Sequence, residues 1–364
     1  MARSLFPRGQ NVRPLSRRNV LIGASVLAAG AAFSTRVLSA APPATAVTPD
    51  LIAAAKKEGK LVWYTSLDLK VSEPIAKAFE AKYPGIAVKV ERTGAERLLQ
   101  RIGQEYGSNI HTVDIANSSD ASHLVYWKGQ GWLAPYVPED VAKFYPAEHK
   151  DADGTYASFR ITLSVIAYNT TLVKKEDAPK SFADLLDPKW KGKLIKSHPG
   201  YSGATMTATF AMARDLGWGY FEKLAQQNIM QVQSATVPPK KLSLGERAVQ
   251  VDGVEYVLLE EKETGKPVEP VYAVEGSPLV VGPNGVFQAA PNPNAARLFQ
   301  SFCFTPECQQ LCVEVGALRS AHPQVKEHTG RTPLAQIKTM KDDAAGVLKQ
   351  AEEIKAHYAK LFKV

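Results

Sequence analysis

Acidic residues are absent from the first forty positions, which carry six arginines: Arg3, Arg8, Arg13, Arg17, Arg18 and Arg36. The whole chain of 364 residues has a net charge of +8, which would point to nucleic acid or an acidic membrane as a partner. With those six arginines set aside, 38 basic residues face 36 acidic ones. The remainder is nearly neutral, so no nucleic-acid partner is expected.

Long apolar runs are also missing. The run at residues 20–33 is 14 residues, whereas a membrane-spanning helix needs roughly 20. It follows a basic stretch and leads into small residues and prolines, the order of a bacterial export signal. Ser16-Arg17-Arg18-Asn19-Val20-Leu21 resembles a twin-arginine signal. Ser39-Ala40-Ala41 and Ala44-Thr45-Ala46 both offer small residues for cleavage, which places the cut between residues 39 and 46. The segment 1–46 is thus expected to be removed, leaving a soluble periplasmic protein with no membrane anchor.

Catalytic signatures are scarce. Gly200-Tyr201-Ser202-Gly203-Ala204 has Ala where a nucleophile elbow requires Gly. The seven histidines, at positions 111, 123, 149, 198, 322, 328 and 357, never fall at the spacing of a helical zinc site and read as scattered surface residues. No metal and no cofactor are expected, and the chain does not read as an enzyme. An exported hydrolase built on Ser202 or Cys308 is the remote alternative.

Only three cysteines occur, Cys303, Cys308 and Cys312. Thr305-Pro306-Glu307 reads as the capped start of a helix, with Cys308 and Cys312 one turn apart. A bond between those two would be strained, whereas Cys303 to Cys308 spans the turn and suits an oxidising compartment. A buried structural role is the expectation for all three.

What the chain does have is an alternation of strands and helices. Apolar strands are predicted at 60–66, 86–90 and 113–116, with helices at 51–59, 71–82, 95–106 and 121–128. Strand, helix, strand units of about thirty residues imply right-handed crossovers and a parallel sheet. An uninterrupted apolar strand at 158–168 precedes a second set: a loop and short helix at 181–186, strands at 193–196 and 248–251, helices at 204–216 and 218–226, and a segment at 230–232. An extended run at 268–280 leads to Gly282-Pro283-Asn284-Gly285, read as a turn, and helices at 294–302, 306–315 and 342–362 end the chain. No flexible linker separates the sets. Two α/β lobes joined by crossing strands predict a hinged cleft.

Polar strand ends and helix starts would face that cleft. Thr65 and Ser66 end the first strand and Asn117 and Ser118 the third, while Ser202, Gly203, Ala204 and Thr205 open a helix whose free N–H groups suit an anion. Arg92 and Arg160 lie near two further strand segments, and Arg92 is the one expected to pair with an acidic group of the ligand.

Residues 60–90, with Trp63-Tyr64-Thr65-Ser66, resemble the opening of periplasmic solute-binding proteins of ABC importers, in the branch that includes ferric-ion binders. Ile166-Ala167-Tyr168-Asn169-Thr170, Ser181-Phe182-Ala183-Asp184-Leu185-Leu186-Asp187-Pro188-Lys189-Trp190-Lys191-Gly192-Lys193, Tyr201-Ser202-Gly203 and Glu275-Gly276-Ser277-Pro278 make the likeness specific. It implies the α/β two-lobe type II binding-protein fold, with residues 158–168 and 271–281 crossing between lobes. The expected division is 47–160 with 272–322 as lobe 1, and 161–271 with 323–364 as lobe 2.

It further implies a monomeric receptor that captures a small polar, anionic solute and delivers it to an inner-membrane permease and ATPase. Tyr256 joins the expected ligand-binding residues on this ground. Iron binders of the branch place two adjacent tyrosines where this chain has Glu255-Tyr256, and their first-lobe ligands fall at Asp68 and Ser119. A ferric or ferric-complex binder, using Asp68, Glu255 and Tyr256 as an oxygen-only site, is the alternative.

Overall fold

The computed structural model describes residues 41–364. The first forty positions of the expected export signal lie outside the described residues.

In chain order the elements begin with α1 (Pro49–Glu58), β1 (Lys60–Thr65), α2 (Leu69–Lys82), β2 (Ala87–Arg92), α3 (Ala95–Gly107), β3 (Ile115–Asn117), α4 (Ala121–Gly129) and α5 (Glu139–Phe144). The long β4 (Ala157–Asn169) leads to β5 (Leu194–Ser197), α6 (Gly203–Leu216), α7 (Trp218–Ala225), β6 (Met230–Val232), α8 (Val237–Ser243), β7 (Val249–Val254), α9 (Glu255–Glu263) and β8 (Val268–Val271). The return strand β9 (Ser277–Val286) is followed by α10 (Pro293–Cys303), α11 (Pro306–Glu314), β10 (Thr339–Met340) and α12 (Ala344–Phe362).

The strands follow the order β2-β1-β3-β9-β4-β7-β5-β6, with β10 on β9 and β8 on β4. β1 pairs in parallel with both β2 and β3, and β5 with both β6 and β7, as the crossover rule requires. β4 and β9 run antiparallel to each other between the two parallel sets. Every residue of β4 is buried, which explains why its sequence shows no alternation: both faces are covered.

Two aromatic cores flank this seam. In the first, Trp63 packs on Phe299 and Phe79 on Phe299 and Phe302, each with ring centroids 5.1 to 5.6 Å apart. The second gathers Phe182, Leu185, Trp190, Phe221 and Tyr358, so the residues of the run 181–193 that look distinctive in sequence are core anchors. Ser181 and Asp184 cap each other's backbone N–H groups there. The second core also buries an ion pair, Lys196 with Asp252, both with no exposed surface.

Three expectations need correction. Gly282-Pro283-Asn284-Gly285 is not a turn but the middle of β9, paired with β4 on one side and β3 on the other. Turn-forming residues are tolerated because the register of β4 shifts between Ser158 and Arg160, relaxing the ladder opposite Pro283. The extended run at 268–280 is interrupted instead at Gly276, whose φ of +118° only glycine adopts readily.

The cysteines form no disulfide. All three are free and buried, and burial raises the Cys303 and Cys308 thiols above their ordinary value. Thr305 caps α11 as expected, accepting from the Cys308 N–H. Desolvation disfavours the Cys308 thiolate, the form a nucleophile needs.

His123 and His322 are not surface residues; they are 3% and 2% exposed. No helix among the described residues is long and apolar enough to cross a membrane.

Candidate functional site: a cationic cleft between the lobes

A narrow pocket with a cavity volume of about 30 Å³ lies where the carboxyl ends of β1, β2 and β3 face the loops after β5 and β6. Strand-end loops line it because parallel strands all finish on the same side. Ser66, Arg92, Ser119, Arg160, Tyr201, Ser202, Ser234, Thr236 and Tyr256 present polar groups to it, and Gly94, Ala95, Ala204, Ala235 and Val254 complete the wall.

Three helices begin at this wall: α3 at Ala95, α6 at Gly203 and α9 at Glu255. Ser202 caps α6, accepting from the Thr205 N–H at 3.4 Å. Gly94 and Val254, at the caps of α3 and α9, supply no side-chain acceptor. First-turn N–H groups and the positive ends of three macrodipoles therefore surround one small volume.

Arg160 supplies the charge. It sits on β4 and is 3% exposed. Its Nε donates to Asn117 Oδ1 at 3.0 Å and its Nη2 to Ser66 Oγ at 3.1 Å. No carboxylate lies within ion-pair distance of it among the described residues. Burial pulls its pKa down from the usual guanidinium value, the mark of a desolvated cation that lacks a counter-ion. Arg92 lines the same pocket, its Nε buried and without a hydrogen-bond partner.

The sequence makes room for Arg160 at Gly282. A Cβ added there would stand 2.8 Å from both Cγ and Nε of Arg160. The Gly282→Ala variant is expected to push the guanidinium out of register and weaken ligand binding about tenfold, or about 1.4 kcal/mol. Calorimetric titration beside a thermal melt would check this; unchanged affinity would mean that the guanidinium tolerates displacement.

Ser66, Arg92, Ser202, Ala204 and Tyr256, all expected from sequence, reach the pocket. Thr65 and Asn117 stand one layer behind it. Asn117 accepts from Arg160 and donates to the Gly282 and Pro283 carbonyls at 3.1 and 3.0 Å, while Thr65 Oγ1 bonds the Leu67 N–H. They orient the arginine. Ser118 is turned inward, its hydroxyl accepting from the Asp120 N–H and meeting His123 Nδ1 at 2.9 Å; its neighbour Ser119 faces the pocket.

Gly203 is placed by contact, since a Cβ there would meet Asp120 and Ala95 at 2.7 and 2.9 Å. Thr205 is buried against Ser197. Ser234 and Thr236 carry no motif that sequence could reveal; they line the pocket from the segment that follows β6.

The oxygen-only metal set does not assemble. Both oxygens of Glu255 are held by Arg319 at 2.8 Å, and Oε1 also accepts from Tyr272. Asp68 caps α2 and pairs with Lys240 at 3.2 Å. Burial alone would raise its pKa, but the Lys70 N–H and the Lys240 ammonium outweigh burial and hold the carboxyl below its ordinary value. Burial pushes Tyr256 up to about 12, so it is a neutral phenol.

Behind the pocket, Glu96, Asp120 and His123 present ligand atoms within 4.8 Å of one another. They satisfy each other instead: His123 Nε2 lies 3.2 Å from Glu96, and Lys355 binds the other Glu96 oxygen at 2.9 Å. Burial would hold His123 neutral, but the two carboxylates outweigh it and raise its pKa. The cluster braces α3 and α4.

Polar contacts that tie the two sides together include Lys70 to Glu260, Lys240 to Asp68, Arg97 to Gln233 and Lys355 to Glu96.

Comparison with known proteins follows from this geometry. The chain is 23% identical to iron-bound HitA from Pseudomonas aeruginosa, with a TM-score of 0.73 over 83% of this chain and 99% of that one. It is 24% identical to the periplasmic binding protein AfuA from Actinobacillus pleuropneumoniae with fructose-6-phosphate bound, with a TM-score of 0.77 over 84% and 99%. At such identities the likeness establishes the two-lobe fold and leaves the ligand open. A probable ABC transporter periplasmic-binding protein, y4fP of Sinorhizobium fredii, is 27% identical over 162 residues, covering 42% of this chain and 44% of that protein. The family model for bacterial extracellular solute-binding proteins matches residues 111–339. That match spans more than half of the chain and takes in the crossing strands β4 and β9, and the chain belongs to the bacterial extracellular solute-binding proteins.

Proposed function

We propose that this protein is the periplasmic receptor of an ABC importer and that its solute is a small anion bearing a phosphoryl or similar doubly charged oxyanion group. One observation carries the choice: Arg92 and Arg160 line a single pocket amid the N-termini of α3, α6 and α9, and neither forms an ion pair among the described residues, with Asp68 acting on Arg92 only at longer range. Two unpaired cations call for a dianion, and first-turn N–H groups suit its oxygens. Ser66, Ser119, Ser202 and Tyr256 add hydroxyl groups. A bare ferric ion would enter a pocket already positive, with Glu255 withdrawn to Arg319.

Capture requires no chemistry, and the solute leaves unchanged for the permease and its ATPase. β4 and β9 serve as the hinge, with lobes divided at 160/161, 271/272 and 322/323, and the receptor acts as a monomer. The structural relative that carries fructose-6-phosphate is in keeping with this solute class.

A thermal-shift screen of the protein lacking residues 1–46 against inorganic phosphate, hexose phosphates, dicarboxylates and ferric citrate tests the reading. A phosphorylated ligand at a hundredfold over its Kd is expected to add about 2.7 kcal/mol of stability. A shift with ferric citrate alone would reject the phosphate-bearing solute.

A further inference from the structure

The inner pocket, at about 30 Å³, is not the whole of the cavity system. A second, larger hollow of about 390 Å³ shares the Tyr201 wall with it and is lined also by His198, Gly200, Gln231, Gln233 and Lys355. The same two chain segments wall both. The loop after β5 contributes Tyr201 to each, and the segment after β6 passes from Gln231 and Gln233 in the outer hollow to Ser234 and Thr236 in the inner pocket. Tyr201 is the shared partition. It is 46% exposed, large for an aromatic ring, and the His198 ring supports it at a centroid distance of 5.2 Å.

The outer hollow offers donors. Gln231 Oε1 accepts from the Tyr358 hydroxyl at 2.9 Å, and its Nε2 is buried and without a partner. His198 Nδ1 accepts from the Gly200 N–H at 2.9 Å, so the neutral ring carries its proton on Nε2. The Tyr201 hydroxyl makes a third donor. A buried N–H with no partner costs free energy unless a ligand satisfies it, and an exposed ring beside it gives a flat apolar face for a ring-shaped body.

We propose that this outer hollow is the subsite for the uncharged, oxygen-rich body of the solute, with Tyr201 as the residue that separates substituted from bare oxyanions. The inference rests on the anion reading of the inner pocket. The oxyanion group occupies the inner pocket, and the body lies across the Tyr201 ring, accepting hydrogen bonds from Gln231 and His198. A sugar phosphate has this division of charge and hydroxyl groups.

The test is titration calorimetry of the wild type, Tyr201→Ala and Gln231→Ala with inorganic phosphate and with glucose 6-phosphate, each variant first verified as folded by its thermal melt. Wild type is expected to bind the hexose phosphate at least tenfold more tightly than phosphate. Each substitution should remove most of that difference; Gln231→Ala, which lies outside the inner pocket, should change phosphate affinity less than threefold, and Tyr201→Ala should weaken the hexose phosphate at least fivefold more than phosphate. Equal losses for both probes, or no loss for either, would overturn the subsite and leave the anion reading standing. Failure of wild type to bind either probe would overturn both. Gln231→Glu supplies a control for packing: it retains shape, and its carboxylate should still weaken the hexose phosphate selectively.

Discussion

Replacing Arg160 with methionine is expected to weaken binding of the anionic solute at least a hundredfold while leaving the ligand-free protein as stable as before or more so. The two effects have one cause. A guanidinium 3% exposed, with neutral partners Asn117 and Ser66 and no carboxylate, costs the empty receptor desolvation energy that only the ligand returns. Truncating one member of a buried, hydrogen-bonded charge pair costs about 2 to 5 kcal/mol of binding, and a hundredfold corresponds to about 2.8 kcal/mol. Methionine fills the stem volume without the charge, so the ligand-free melting temperature should not fall. Lysine at 160 should recover only part of the affinity, because a single ammonium cannot hold Asn117 and Ser66 while meeting an oxyanion. Calorimetric titration and melting curves read both effects. A large fall in melting temperature with unchanged affinity would make Arg160 a structural residue.

The largest loss of stability is expected from Lys196→Ala. Lys196 and Asp252 are both fully buried in the second lobe, and removing one member strands the other as an uncompensated charge, at about 3 to 5 kcal/mol. Burial already raises Asp252 to about 6 in the intact pair, even with Lys196 opposing the shift. Without the ammonium the carboxyl will take up a proton more readily still.

A carboxyl whose folded pKa lies above its unfolded value binds more protons when folded. Stability therefore falls as pH rises through that window and stays low above it. The variant should be closer to wild type at pH 5 than at pH 8. Lys196→Met combined with Asp252→Leu removes both charges and should come near wild-type stability, since an apolar pair of similar volume needs no desolvation. Denaturant titrations at both pH values measure this; a single-variant loss under 1 kcal/mol, independent of pH, would contradict it.

The elements of the fold were legible where local chemistry specifies them. Lys60–Thr65, Ala95–Gly107 and Trp218–Ala225 lie within two residues of the positions that apolar spacing predicts. Thr305 caps α11 as its Ser/Thr-type oxygen and the following proline require. The failures were tertiary. Gly282-Pro283-Asn284-Gly285 carries strong local turn preference, yet two neighbouring strands hold it extended. α8 and α9 are short, and their apolar residues pack against several surfaces at once, which blurs any single periodicity.

The candidate site divided along the same line. Side chains at strand ends and helix starts were identifiable as a class, because parallel sheets present those ends to one cleft. Which of two adjacent residues faces the ligand was not. Ser118 turns to His123 while Ser119 faces the pocket, and Thr65 and Asn117 support an arginine instead of reaching the pocket themselves.

The sequence by itself determined the lobed α/β architecture, the near-neutral charge beyond the first forty residues and the likeness to solute receptors. These follow from composition, from periodicity over short windows and from motifs within about fifteen residues. Only the tertiary structure decided that Arg160 is the central cation, that Glu255 is spent on Arg319, and that Tyr201 stands between two hollows. The reason is physical. A charged side chain becomes a ligand or a structural partner according to what lies within about 4 Å of it, and for these residues the deciding neighbours are 43 to 94 positions away in the chain.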